Sequence, residues 1–285
     1  MEICEPVDAC RKALEEVRPL CDITVLLYHG GFERNLSDDR LLTQSTENQA
    51  CRICQELDFD LVLTGHQHVS VLPQRYGNSW VCQPPFRATA FCEMLVTCDD
   101  DGITTVIGDN RSCGHTIYER PARLLAKLQK QVQHWLDTPV GHLDMPLDFG
   151  EHIPMAMNGC LLANFMNQVI LELTGAQIST IAMANEVKGL PQNVTIRDVV
   201  SAYIYSNTLL VLDMTVRDLK RYMEQCAAYF ELKADGTVVV SEAYMHPKVA
   251  HYNYDYFSGV DYVYDISRPA GCRLVSLKLQ GREMS

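Results

Sequence analysis

The sequence has no excess of basic residues. It carries 24 Lys and Arg against 36 Asp and Glu, a formal net charge of −12. Phosphate backbones are gripped by net basic surfaces, so this balance argues against a nucleic-acid polymer as partner. A small phosphate ester is not excluded, because divalent cations would dominate the field inside a pocket. No run of 18 apolar residues is present, so no membrane-spanning helix is expected. The signature of disorder is also missing, with 47% hydrophobic and 21% charged residues. Met1-Glu2-Ile3-Cys4-Glu5-Pro6 has neither a basic n-region nor an apolar core. No signal peptide is read there, and a cytoplasmic setting is expected. The twelve cysteines are scattered through apolar segments at irregular spacing, unlike the framework of a small secreted domain. Cys51-x-x-Cys54 lacks a second pair at zinc-ribbon spacing and reads as core packing.

What the sequence does have is 285 residues, enough for one large or two ordinary domains, and a distinctive set of histidines. Gly65-His66-Gln67-His68 follows the apolar run Leu61-Val62-Leu63-Thr64 directly. A buried strand that stops at a glycine and releases two imidazoles builds half a metal site, since neutral imidazole is the commonest nitrogen ligand of zinc, manganese, iron or cobalt. In an extended His-x-His both rings face one side. A second run, Ile23 to Tyr28, ends the same way in His29-Gly30-Gly31. Asp60 precedes its strand at the opposite end and is expected to be solvated. Glu33, near His29, can orient a ligand or lie on the surface. His115, His134, His142, His152, His246 and His251 carry no spacing signal.

Apolar periodicity predicts a helix over 6–20 capped by Asp8, a strand over 23–28, a helix over 49–57 and a strand over 61–64. This is a βαβ pattern with parallel strands buried on both faces, and ligands bind at the carboxyl ends of such strands. His29, His66 and His68 all fall there. From Ser79 alternating strands take over, with a hairpin at Asp99-Asp100-Asp101-Gly102. Residues 119–136 read as an amphipathic helix with Leu124, Leu125, Leu128, Val132 and Trp135 on one side, which places a boundary near 115–140. Beyond it a helix at 160–173 is closed by Gly175, and a strand follows at 178–183. Thr195-x-x-Asp198 and Thr215-x-x-Asp218 resemble capping boxes opening helices near 196–204 and 216–230. Strands are expected at 208–213, 236–241, 259–266 and 273–279, with nothing after the last to pair with it. The tyrosines among 252–264 read mainly as packing.

These residues resemble the two-domain metallophosphoesterases that include 5′-nucleotidases and 2′,3′-cyclic-nucleotide 2′-phosphodiesterase/3′-nucleotidases. The resemblance rests on Tyr28-His29-Gly30-Gly31-Phe32-Glu33, Glu47-Asn48-Gln49 and Leu63 to His68. It continues through Gly189-Leu190-Pro191, Thr195 to Val200, Tyr205-Ser206-Asn207-Thr208-Leu209, His251 to Asp255, Gly259 to Tyr262 and Asp265 to Pro269. It implies an α/β and α+β chain. Residues 1–115 would be the C-terminal portion of a calcineurin-like four-layer metallophosphatase domain, 116–140 a linker helix, and 141–285 an incomplete 5′-nucleotidase C-terminal domain for nucleotide specificity. It also implies two divalent metal ions (Mn, Zn, Co or Fe), His29 and His66 ligating one and His68 the other, which polarise the phosphoryl group and supply hydroxide. Tyr205 and Asn207 would contact the nucleotide, the aromatic ring stacking on the base.

Two departures bear on function. Asn185-Glu186-Val187-Lys188 stands where 5′-nucleotidases carry Gly-Gly-x-Arg, which favours the cyclic-nucleotide branch. The family's metal-binding Asp-x-His, its bridging Asp and its Asn-His-Asp block with the catalytic His do not precede residue 23, and the Asn-x-Tyr-Arg segment of the base pocket is also missing. The chain is therefore expected to be an internal piece of a longer enzyme. It would hydrolyse mononucleotides or cyclic nucleotides as part of nucleotide catabolism, and be inactive alone. The alternative is a non-catalytic nucleotide-binding or interaction protein.

Overall fold

The computed structural model describes residues 4–43, 45–99, 102–246 and 248–284. The chain separates into two compact units: Met1–Thr116 with His246–Lys248, and Ile117–Met245 with Val249–Ser285.

The first unit opens with α1 (Pro6–Val17), shorter than the sequence predicts and capped differently. Proline at the first helical position removes one orphan donor. The carboxylate that meets the next two is Glu5, not Asp8: it accepts from Val7 N at 2.9 Å and Asp8 N at 3.2 Å. Then come β1 (Val25–Tyr28), α2 (Ala50–Glu56), β2 (Leu61–Thr64), β3 (Val71–Tyr76) and β4 (Ser79–Gln83). They build one sheet in the order β1-β2-β4-β3. β1, β2 and β4 run parallel, and β3 pairs antiparallel to β4. The predicted βαβ unit is present, but β1 is not buried on both faces. No described strand pairs with its outer side, and Leu27 is 77% exposed. The core lies under α1 and α2, where Val7, Ile53, Cys51, Cys54, Val62 and Val81 are buried. Burial pushes the Cys51 and Cys54 thiols up to about 12, as inert packing residues. A hairpin of β5 (Ala90–Asp99) and β6 (Gly102–Ser112) follows. Its predicted turn at Asp100 and Asp101 lies outside the described residues.

Asp60 keeps 24% of its side chain exposed but is anchored rather than left to solvent. It accepts from Thr24 N and Thr24 Oγ1, both at 2.7 Å, and from Arg18 at 2.7 Å. These donors hold its carboxyl below the usual range against the opposing effect of burial. The strand end away from the histidines is thereby pinned.

The second unit runs through α3 (Glu119–Leu136), β7 (Pro139–His142), α4 (His152–Asn158), α5 (Leu161–Thr174), β8 (Ser179–Ala182), β9 (Asn193–Thr195), α6 (Ile196–Ala202) and α7 (Val216–Ala227). Then follow β10 (Phe230–Leu232), β11 (Val238–Val240), β12 (Asp255–Ser258), β13 (Val260–Tyr264), β14 (Leu274–Leu279) and β15 (Arg282–Glu283). Gly175 ends α5 in the left-handed region at φ 67°, as its position predicts. Thr195 opens α6 with a full capping box, its hydroxyl and Asp198 answering each other's backbone donors. α5 and α7 cover β8, β12 and β14 around a core of Leu162, Met183, Met223, Tyr254, Tyr256 and Phe257. Edge-to-face ring pairs such as Tyr254–Tyr256 (centroids 5.1 Å, 85°) fill it.

Two expectations fail here. Residues 208–213 form no strand; Leu210 and Leu212 stand exposed, because no described strand lies alongside to pair with them. The last long strand does have a following partner, since β15 folds back on β14 with Leu279 opposite Arg282. Among the described residues no helix is long and apolar enough to cross a membrane.

Candidate functional site

The parallel strands β1, β2 and β4 deliver their carboxyl ends to one edge of the first unit's sheet. The loop after β1 carries His29 and then two glycines that the crowding demands. A Cβ on Gly30 would lie 2.4 Å from the Tyr28 ring, and one on Gly31 would lie 2.0 Å from Gln67 Cδ. Buried Asn48 accepts from Gly31 N at 2.7 Å. Glu33 has a partner in the fold. Its carboxylate accepts from Cys51 N at 3.0 Å and Arg52 N at 2.7 Å, satisfying the first turn of α2.

The loop after β2 is not extended. His66 and His68 both lie in the left-handed region, at φ 70° and 60°, and Gln67 N donates to Gly65 O at 2.8 Å. Such conformations cost an L residue about 1–2 kcal/mol each and persist only where surroundings impose them. Here they are imposed from two sides. Gln67, 2% exposed, bonds both the N and the O of Phe32. Buried Gln83 of β4 donates to Val69 O at 2.8 Å, and Thr64 Oγ1 donates to Gln83 Oε1 at 3.0 Å. Two buried amides, neither singled out from sequence, aim this loop.

The result brings His29 and His66 together, with ring centroids 5.3 Å apart at 65°. His66 Nε2 also meets Glu47 Oε1 at 2.5 Å. His68 stacks instead on Phe86, centroids 4.8 Å apart and 14° from parallel. Burial lowers the His68 pKa, and the charges of Lys248, His66, Arg87 and His29 lower it further. Lys248, in the short segment that groups with this unit, donates to His66 O at 3.3 Å.

Imidazoles sharing one tetrahedral cation, with metal–nitrogen bonds near 2 Å, have centroids about 5 Å apart. The His29–His66 pair fits that separation. Among the described residues, however, no group of three His, Cys, Asp or Glu side chains is placed to hold a metal ion. The donors described thus match part of one cation's shell and supply no bridging carboxylate for two.

In the second unit, Tyr205 and Asn207 sit on the irregular stretch after α6. The Tyr205 ring is more than half exposed, and Asn207 Nδ2 donates to the Tyr203 hydroxyl at 2.8 Å. An unexpected cluster lies elsewhere in this unit. His152 and His251, far apart in sequence, stack with centroids 3.7 Å apart and 9° between planes. Tyr229 Oη meets His251 Nδ1 at 2.5 Å, His152 Nε2 faces Asn185 O at 3.2 Å, and Asn185 Oδ1 accepts from His251 N at 3.1 Å. Asn185 therefore holds this cluster together. Burial, then the charge of His152, lowers His251 to about 4.

The model of the 5′-nucleotidase C-terminal domain family matches residues 139–285. The trifunctional nucleotide phosphoesterase protein YfkN of Bacillus subtilis (strain 168) is 25% identical over an alignment of 115 residues that covers 36% of this chain and 8% of that protein. A Staphylococcus aureus structure assigned as a 5′-nucleotidase superposes with a TM-score of 0.86 at 29% identity, covering 100% of this chain and 56% of that one. A 5′-nucleotidase precursor from Thermus thermophilus shares the fold, with a TM-score of 0.56 at 16% identity, covering 97% of this chain and 54% of that one. The chain thus spans little more than half the length of these structures. The match over residues 139–285, together with the two-unit mixed fold shared along the whole chain, establishes that it belongs to the 5′-nucleotidase family.

Proposed function

We propose that this chain carries part of the machinery for metal-dependent hydrolysis of nucleotide phosphoesters, whether 2′,3′-cyclic nucleotides or 3′- or 5′-nucleotides. The observation that carries the reading is the convergence of His29 and His66 at the carboxyl ends of adjacent parallel strands. His29 and His66 would hold one divalent ion, Mn, Zn, Co or Fe, and His68 would contribute to a second. Such ions, when bound, neutralise phosphoryl charge and lower the pKa of bound water. The protein's own task is to aim imidazoles, through Gln67 and Gln83, at a fixed place. Tyr205 offers an exposed aromatic face to a base, and Asn207 follows two residues later with its amide on the Tyr203 hydroxyl.

The described donors complete neither metal shell, so the isolated 285-residue chain is expected to show little or no turnover. Manganese-dependent hydrolysis of 2′,3′-cyclic AMP by the purified chain tests this, with elemental analysis of bound metal measured in parallel. Rapid turnover contradicts the expected inactivity. Failure to bind any of the four metals contradicts the ligand roles. The same incomplete donor set favours a second reading, a nucleotide-binding protein without catalysis. Metal-independent nucleotide binding together with no metal uptake would select it.

A further inference from the structure

The amphipathic helix α3 runs for 18 residues, and none of them is buried. Leu124, Leu125, Leu128 and Trp135 each expose more than half of their surface, and Val132 more than a third. At about 3.6 residues per turn these five side chains fall within about 100° of the helix circumference, one continuous apolar stripe. A stripe of that extent marks an interaction face, whereas single exposed apolar residues do not. The helix is fastened to the second unit from roughly the opposite side. Arg197 of α6 donates to Gln133 Oε1 at 2.8 Å and to Asp137 Oδ1 at 2.6 Å.

The polar part of α3 has a prevailing sign. Arg120, Arg123, Lys127 and Lys130 stand against Glu119, four minus one, a balance of +3 in a chain whose net charge is −12. Glu119 lies 3.8 Å from Arg123 within the same helix. On the same helical geometry Arg120 and Lys127 border the stripe, while Arg123 and Lys130 lie further round.

We propose that α3 is an interfacial helix that docks this chain on an anionic lipid surface. Leu124, Leu128 and Trp135 enter the boundary between headgroups and acyl chains, and Arg120 and Lys127 meet lipid phosphates. A nucleic-acid strand would use the cations and leave the stripe wet. A second copy of the chain would cover the stripe but set two net-positive helices side by side. An anionic bilayer answers both features, since apolar area enters the boundary and the surface potential attracts the cations. The stems of Arg120 and Lys127 lie along apolar surface while their charged heads reach the phosphates. Arg123 and Lys130 remain within a screening length of about 8–10 Å of that surface. Neither metal nor nucleotide takes part, so the proposal is independent of the phosphoester reading.

The test is flotation of the 285-residue chain with vesicles of phosphatidylcholine alone, or of phosphatidylcholine and phosphatidylglycerol in equal parts. Tryptophan emission is recorded in parallel. Wild type is compared with Leu124→Ser combined with Leu128→Ser, with Arg120→Gln combined with Lys127→Gln, and with Trp135→Phe, all at exposed positions. Wild type is expected to bind the mixed vesicles about tenfold or more tightly than phosphatidylcholine alone, and less tightly as salt is added. Both double variants should lose about tenfold or more on the mixed vesicles. Wild-type emission should shift to the blue on those vesicles, and the shift should be absent in Trp135→Phe. Equal binding to both vesicle types, or double variants that bind as wild type does, overturns the proposal. Flotation with neither vesicle overturns it as well and leaves the face to a protein partner. So does a dimer in vesicle-free buffer that the Leu124→Ser and Leu128→Ser pair abolishes, because a second copy then covers the stripe.

Discussion

Gln67 holds Phe32 by both ends of its peptide: Gln67 Oε1 accepts from Phe32 N at 2.9 Å, and Gln67 Nε2 donates to Phe32 O at 2.8 Å. The loop after β2 is thereby tied to the loop after β1, and the two candidate metal-binding rings, His66 and His29, are carried by the loops so joined. Replacing Gln67 by Leu leaves a buried donor and a buried acceptor unpaired. A loss of about 2–6 kcal/mol is expected in urea unfolding, from two such groups at 1–3 kcal/mol each. Metal affinity should fall with it. A Gln67→Leu chain with wild-type stability and metal uptake would show that the clasp does not position the histidines.

Glu33 separates a structural carboxylate from a ligand-orienting one. Because it meets Cys51 N and Arg52 N at the start of α2, Glu33→Ala is expected to cost about 1 kcal/mol, the usual worth of a helix cap. Bound metal should not change. A variant that keeps its stability and loses metal would reverse the assignment.

The stacked pair His152–His251 makes the second unit acid-sensitive. The folded state keeps His251 neutral down to about 4, whereas an unfolded histidine titrates near 6.5. Between those values the unfolded chain binds more protons than the folded one. Stability is therefore fully present above about pH 6.5 and falls as the pH drops towards 4. Among the described residues, burial and then the charge of His152 act on His251, and burial outweighs the Asn185 carbonyl at His152. Thermal melts of wild type and His152→Phe from pH 7 to 4 check this. The variant should lose stability less steeply, and an identical slope would show that the pair does not titrate as a unit.

Tyr205 provides a test of base recognition independent of metal. With its ring exposed on an irregular segment, Tyr205→Ala should weaken adenosine binding by about 1–3 kcal/mol, the range for one stacked base. Tyr205→Phe should preserve it, since only the π-face is used. Unchanged affinity in Tyr205→Ala would move the base elsewhere.

Much of the architecture was legible because its signals are local. Thr195 and Asp198 lie within one turn, Gly175 stops a helix by itself, and the apolar runs at 25–28 and 61–64 announce parallel strands. Where a local signal misled, long-range pairing had decided otherwise. Residues 208–213 have strand composition and, among the described residues, no neighbouring strand. The His-x-His motif reads as extended and is folded into a left-handed turn, held by its own Gln67 on Phe32 of the loop after β1 and by Gln83 of β4. Glu33 lies close to His29 in sequence, yet it spends both oxygens on a helix that starts seventeen residues later at Ala50.

By itself, then, the order of residues determined most of the elements that form, that His29, His66 and His68 follow adjacent strands at a common edge, and which family the chain joins. Only the tertiary structure decided that His29 faces His66 while His68 stacks on Phe86, and that His152 finds His251. The reason is physical. Helix caps and strand periodicity depend on groups a few residues apart, whereas the partners of a loop side chain are whatever the sheet brings alongside, and distance along the chain carries no trace of that.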